Sequence, residues 1–181
     1  RSTTKETRQD AVNAVRLIFA NIREAYQDGS NMRARKQMLR AAYLAGNAFT
    51  RSYVGYVHAV AHSLGGKYNT PHGLANAVLL PFVLEAYGQT AHRPLHARAV
   101  AVGISDWRES DDEGAVKFIE AIRQMKKDLS IGDTICGIQK KDIPGLARQA
   151  EKEANPLYPV PDLMTAKQLE EFYYMVMEEE T

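Results

Sequence analysis

The chain has 181 residues, 45% of them hydrophobic and 25% charged, with 23 basic against 22 acidic side chains. That length supports one domain with a real core, or at most two small ones, and charges that nearly cancel argue against a nucleic-acid stripe or a polybasic membrane patch. The lone cysteine, Cys136, excludes a disulfide framework and a CxxC zinc or redox motif, and fits a reducing cytoplasm.

The N-terminal stretch RSTTKETRQDA is polar and lacks an initiator Met, which predicts a fragment or a processed chain. Thr3 with Glu6 three residues on reads as a capping box, each side chain satisfying a backbone N–H that the first turn leaves open. Val12, Val15, Ile18, Phe19 and Ile22 follow at three- and four-residue steps, so a helix is predicted up to DGSN at residues 28–31. A second helix is predicted over residues 32–49, with Met38, Leu39, Ala42 and Tyr43 on one side. Its basic cluster MRARKQMLR alternates with apolar residues at helical spacing, the pattern of a solvated helix face rather than a phosphate-binding surface.

A third helix is predicted over residues 54–64, stopped by Gly65-Gly66. Thr70 is then expected to cap a fourth helix, with Pro71 at its first position. That helix should run through Leu80 and kink at Pro81, which lacks an N–H and crowds the preceding turn. The same Pro81 interrupts the longest apolar run, ANAVLLPFVLEAY, well short of the ~20 residues a membrane span needs. Further helices are predicted over residues 95–103, 113–129, 143–155 and 166–179. His92 and His96 flank Pro94 and read as surface residues beside a loop. The segment SDWRESDDEG reads as an exposed acidic loop, SIGDTICGIQKKDIP as a loop with room for a short extended piece, and NPLYPVPDLMT, with three prolines in six residues, as irregular. No βαβ alternation, repeat or glycine-rich phosphate loop is present, so the chain shows no means of its own to hold a nucleotide. The pattern predicts one all-α domain over residues 1–181.

Three of the five histidines fall in YVHAVAHSLGGKYNTPHGLANAVLLP, residues 56–81. His58 and His62, four apart, lie roughly 40° apart around a helix axis, one turn above each other. The chain turns back between the two helices, so His72, in the first turn of the second, can reach the same face. Imidazole suits divalent iron, zinc, cobalt or nickel, and two ligands from one rigid face with a third from a neighbouring element make a plausible metal set. The competing reading is three polar core histidines bonded to backbone. Most divalent sites also need a carboxylate or a fourth ligand, and none is evident: Glu85 lies 13 residues beyond His72, across Pro81.

GYVHAVAHSLGGKYNTPHGLANAVLLP closely resembles the signature of iron-containing (group III) alcohol dehydrogenases, whose fold is dehydroquinate-synthase-like. AAYLAGNAF before it and EKEANPLYPVPDLMTAKQLEEFYYMV near the end resemble the same family, so the likeness extends over essentially the whole chain. It implies a C-terminal, bundle-like, all-helical domain that holds a divalent metal, iron first and zinc second. The NAD(P)-binding domain would lie N-terminal to this chain. Of the family's four ligands, one Asp and three His, two match His58 and His72, while the Asp and the first His would lie upstream of RSTTKE. His62 matches a histidine that lies beside substrate and nicotinamide and serves proton transfer or positioning.

The resemblance implies reversible oxidation of a small alcohol to an aldehyde by hydride transfer; charge balance and cysteine usage add the expectation of a cytoplasmic protein without nucleic acid or membrane as partner. This chain alone is expected to be inactive, with two ligands and the cofactor domain missing. An apolar surface around Tyr53, Tyr56 and Pro159 is expected to be exposed and to invite self-association into a homo-oligomer. The stretch FTRSYVG departs from the family's small residues at this place, and Arg51 and Tyr53 would either narrow the substrate pocket or only pack on neighbouring helices. The other reading is a self-sufficient helical binding or structural domain, its histidines core residues or part of a site completed across a subunit contact.

Overall fold

The computed structural model describes residues 3–178. Eight α-helices follow in order: α1 (Lys5–Gln27), α2 (Met32–Ser52), α3 (Tyr56–Tyr68), α4 (His72–Ala86), α5 (Gln89–Ala101), α6 (Asp111–Asp128), α7 (Ile143–Ala154) and α8 (Ala166–Val176). No strand forms among the described residues. The extended piece expected in the loop after α6 is a single parallel bridge between Ile135 and Met177. The fold is all-α, as the periodicity predicts. The final residue of the predicted C-terminal helix, 179, lies outside the described residues. Two compact units divide the chain: Arg1–Tyr53 with Ala91–Leu129, and Val54–Thr90 with Ser130–Thr181.

In the first unit α1 and α2 form an antiparallel pair joined by a four-residue link, residues 28–31. The capping box is one residue later than expected: Thr4 accepts from the Thr7 N–H, and the Thr7 side chain accepts from the Thr4 N–H. Thr7, not Glu6, occupies the third helical position that closes the box. The buried residues of α1 are Thr7, Ala14 and Asn21, and those of α2 are Ala34, Ala41 and Ala48. Both sets repeat every seven residues, so a seam of small side chains lets the backbones approach closely. Leu39 and Tyr43, assigned above to the side with Met38 and Ala42, are 74% and 68% exposed, because alanines occupy the seam in their place. The basic cluster is solvated as expected, with Arg33 paired to Glu24.

Elsewhere in this unit Phe19 stacks on Phe118 of α6 with centroids 5.5 Å apart, and Arg23 pairs with Asp128 at 2.5 Å. His92 and His96 do not flank a loop, and His96 is not a surface residue. Helix α5 runs through Pro94, and His96 is 7% exposed. Its Nδ1 donates to Asp111 Oδ1 at 2.9 Å and its Nε2 to the Asp106 carbonyl at 3.0 Å, while His92 pairs with Asp112 at 2.5 Å. Asp111, then the Asp106 carbonyl, hold the His96 imidazolium above its ordinary pKa, against the opposing effect of burial. Gly114 is required beside it: a Cβ there would overlap Cγ and Cδ2 of the His96 ring.

The second unit packs α3, α4, α7 and α8 around Tyr56, Val60, Leu64, Val78, Leu79, Val83, Ile143, Leu169, Phe172, Tyr173 and Val176. Two predicted boundaries move. Helix α3 does not stop at Gly65-Gly66 but passes through both and ends at Asn69, whose φ of 56° is left-handed and whose N–H reaches the Gly65 carbonyl at 3.0 Å. Asparagine takes the left-handed cap at low cost, and tertiary packing offsets two interior glycines at about 1 kcal/mol each. At the start of α4, Pro71 is the cap and Thr70 makes no capping bond, so His72 is the first helical residue. The helix continues past Pro81, which is buried within it, to Ala86.

Tyr56 is fully buried, contrary to its expected place on an exposed patch, whereas Tyr53 is 58% exposed and Pro159 is exposed. The Tyr56 hydroxyl donates to Asn155 Oδ1 at 2.5 Å and accepts from the Met164 N–H at 2.8 Å. A phenol that satisfies two partners inside the core ties the start of α3 to the irregular segment after α7.

Candidate functional site

The site lies in the second unit, where α3 and α4 meet. Residues 69–71 return the chain so that the first turn of α4 faces the exposed stripe of α3. The three histidines singled out by sequence come together. Ring centroids of His58 and His62 are 5.9 Å apart, those of His58 and His72 5.4 Å, and those of His62 and His72 5.2 Å with the planes 21° from parallel. His62 and His72 are exposed and His58 is half-buried, so none is a packed core residue.

Each ring has a different environment. Burial lowers the His58 pKa, the charges of His72 and His62 lower it further, and Glu153 opposes. His58 therefore presents a neutral imidazole, the form that can donate a lone pair to a cation. The His62 Nδ1 donates to Glu153 Oε1 at 2.7 Å. The Asn76 amide Nδ2 lies 3.1 Å from His72 Nε2 and donates to the His72 carbonyl at 2.8 Å. Its other atom, Oδ1, is buried without a partner, an acceptor left open one turn along α4 from His72.

Glu153, in the last turn of α7, is the carboxylate that sequence reasoning missed. It stands 91 residues from His62, and no local pattern links EKEANP to the histidine stretch. The same Oε1 accepts from the Tyr158 hydroxyl at 2.8 Å. Burial, reinforced by Glu153, pushes the Tyr158 phenol up to about 12, so it remains a neutral donor. Arg51 has its place in the first unit, lining a small polar hollow with Glu6, Thr7, Asp10 and Asn47. Tyr53 ends α2 with φ of 60°, a left-handed conformation that strains a bulky side chain.

Borderline nitrogen donors on two rigid helices suit a divalent first-row metal. The 5.4 Å between the His58 and His72 rings is a span across which two imidazoles can face one ion at metal–nitrogen distances of about 2.0–2.1 Å. These residues fit part of a metal site, not a whole one: no group of three or more His, Cys, Asp or Glu among the described residues is arranged to hold a metal ion. The buried Asn76 Oδ1, open beside His72, fits a site with a group still to come.

A family model for the C-terminal region of the Fe-containing alcohol dehydrogenase family matches residues 2–177. The chain is 42% identical over 148 residues to the 1,3-propanediol dehydrogenase of Klebsiella pneumoniae, covering 80% of this chain and 38% of that protein. It is 36% identical over 146 residues to alcohol dehydrogenase 4 of Saccharomyces cerevisiae strain S288c, covering 80% of this chain and 37% of that one. Among solved structures, a 1,3-propanediol oxidoreductase superposes with a TM-score of 0.90 at 34% identity, over 98% of this chain and 47% of its own. An alcohol dehydrogenase from Oenococcus oeni gives 0.89 at 31%, over 97% and 46%. The chain thus spans under two fifths of the length of these curated relatives.

Proposed function

Because the chain belongs to the Fe-containing alcohol dehydrogenase family, as its C-terminal helical domain, we propose that it forms the metal- and substrate-binding part of an enzyme that interconverts a small alcohol and its aldehyde. Residues 1–181 act in this reading as one helical domain beside an NAD(P)-binding domain. The observation that carries the reading is the convergence of His58, His62 and His72 from α3 and α4, with the Glu153 carboxylate bonded to His62.

His58 and His72 are assigned as two ligands of the divalent metal, iron first and zinc second, with an Asp and a further His completing the set. The metal supplies Lewis-acid polarisation of the substrate oxygen, and nicotinamide the acceptor for the hydride. The chain's own residues hold and move protons. His58 offers a neutral ring because burial disfavours its charged form. His62, held by Glu153 and not assigned to the metal, takes the hydroxyl proton when the alcohol is oxidised and returns it when the aldehyde is reduced. Helices α3 and α4 are anchored by the core beneath them, so these rings keep their relative positions without an imposed search.

Anaerobic titration calorimetry with ferrous and zinc ions tests the assignment on this chain, beside His58→Ala and His72→Ala. The expected outcome is weak binding that both variants abolish. Tight one-to-one binding would show that this chain completes its own site and would remove the upstream ligands from the reading. In the full-length enzyme, His62→Ala should lower kcat by about 10²–10⁴-fold with bound metal unchanged.

A further inference from the structure

We infer that Glu153 is the positioning residue of this site: it holds His62 as the tautomer protonated on Nδ1 and so leaves Nε2 as the atom that exchanges protons. The inference rests on the reading of His62 as proton carrier and specifies which of its two nitrogens acts.

The chemistry follows from the donor inventory. An ionised carboxylate only accepts hydrogen bonds, so the 2.7 Å contact between Glu153 Oε1 and His62 Nδ1 requires a proton on Nδ1. A neutral imidazole has one N–H, so Nε2 carries the lone pair. Charge-assisted bonds of this kind are roughly twice as strong as neutral ones, enough to override the tautomer preference of a free ring.

The carboxylate is itself held. Tyr158, from the irregular segment after α7, donates to the same Oε1 at 2.8 Å. Tyr56 fixes that segment further along, through Asn155 and the Met164 N–H. The setting of Glu153 also argues against a role in helix stability. An acid in the last turn of a helix opposes the macrodipole. Its neighbour Glu151 has a structural task there, accepting from the Ala166 N–H at the start of α8 at 3.0 Å. Glu153 instead directs one oxygen at His62 and Tyr158, one on the histidine face and one on the segment beside it.

The test is ¹⁵N NMR of the His62 ring in the chelator-treated chain at about pH 9, well above the ordinary imidazole pKa of about 6.5, so that the ring is neutral. The Nδ1–H form is expected to exceed the Nε2–H form by about tenfold, the ratio a charge-assisted bond sustains. Glu153→Ala and Glu153→Gln should each lose most of that excess, while Tyr158→Phe should keep it. The backbone spectrum of each variant checks folding. A dominant Nε2–H form in the unsubstituted chain would overturn the inference, even if no variant folds. So would an unchanged ratio in a folded Glu153→Ala. Failure of the underlying reading is distinguishable. Full turnover in a full-length His62→Ala enzyme would remove His62 as proton carrier and leave the tautomer result standing.

Discussion

Tyr56 shows how one side chain supports the site without touching it. It is fully buried two residues before His58, and its hydroxyl closes a small network with Asn155 and Met164. Tyr56→Phe keeps the ring and its packing but strands a buried N–H and a half-buried amide oxygen. The expected cost is about 1–3 kcal/mol in urea unfolding. A cost near zero would mean that water takes the place of the hydroxyl. A second buried pair, Ser63 with Tyr173 at 2.6 Å, fixes the far side of α3 to α8 in the same manner. Burial pushes the Tyr173 phenol far above its ordinary value, so it acts only as a neutral hydrogen-bonding group.

Between elements, the α1–α2 seam and the α5–α6 clasp make separate predictions. The seam is built of small residues at seven-residue spacing, with no room for larger ones. Ala41→Leu should therefore destabilise by about 1–3 kcal/mol through overpacking. Leu39→Lys, on the exposed face of the same helix, should change stability by under about 0.5 kcal/mol. Thermal unfolding of the two variants separates these outcomes, and equal effects would remove the seam assignment.

At the clasp, Gly114→Ala should clash with the His96 ring, and Gly114→Ala with His96→Ala should recover most of the loss, a coupling that a double-mutant cycle reads directly. The clasp also gives a pH dependence. The folded-state pKa of His96 is raised, chiefly by Asp111, so the native state binds its proton more tightly than the unfolded chain. The stabilisation is fully present below about pH 6.5 and is lost as pH rises through the folded-state value. The stability difference between the unsubstituted protein and His96→Gln should therefore be largest near pH 6 and shrink toward pH 9. A difference that grows with pH would rule out the charged clasp.

For the whole molecule, the proposed reading makes the histidine cluster a partial donor set, carried by a chain that spans under two fifths of the curated relatives compared. A ligand that binds only the folded state raises stability in proportion to the logarithm of its concentration over Kd. With His58 and His72 as its only assigned ligands, millimolar zinc should shift the Tm of this chain little. A chain extended to include the remaining Asp and His should gain a shift larger by several degrees, since each tenfold gain in affinity adds about 1.4 kcal/mol at saturating metal. Equal shifts in the two chains would show that the histidine cluster needs no further ligand. No helix among the described residues is long and apolar enough to cross a membrane.

The sequence by itself determined the helical class, the order and approximate bounds of the eight helices, and the meeting of His58, His62 and His72. All of these follow from local periodicity, caps and one short connection. Tertiary structure decided the rest. Gly65-Gly66 read as a stop and the fourth helix as ending near Leu80, yet α3 runs through both glycines and α4 runs past Pro81 to Ala86, because the packing of the second unit outweighs a local cost of about 1–3 kcal/mol. Leu39 and Tyr43 read as an inward face, yet alanines fill the seam, because helix–helix distance is chosen by the smallest repeating side chains and not by the most hydrophobic. His96 read as surface because its partners, Asp106 and Asp111, lie beyond the end of its own helix. Glu153 was invisible beside His62 because contacts between distant segments leave no spacing in the chain. Only the packing of α7 against α3 brings that carboxylate to the ring.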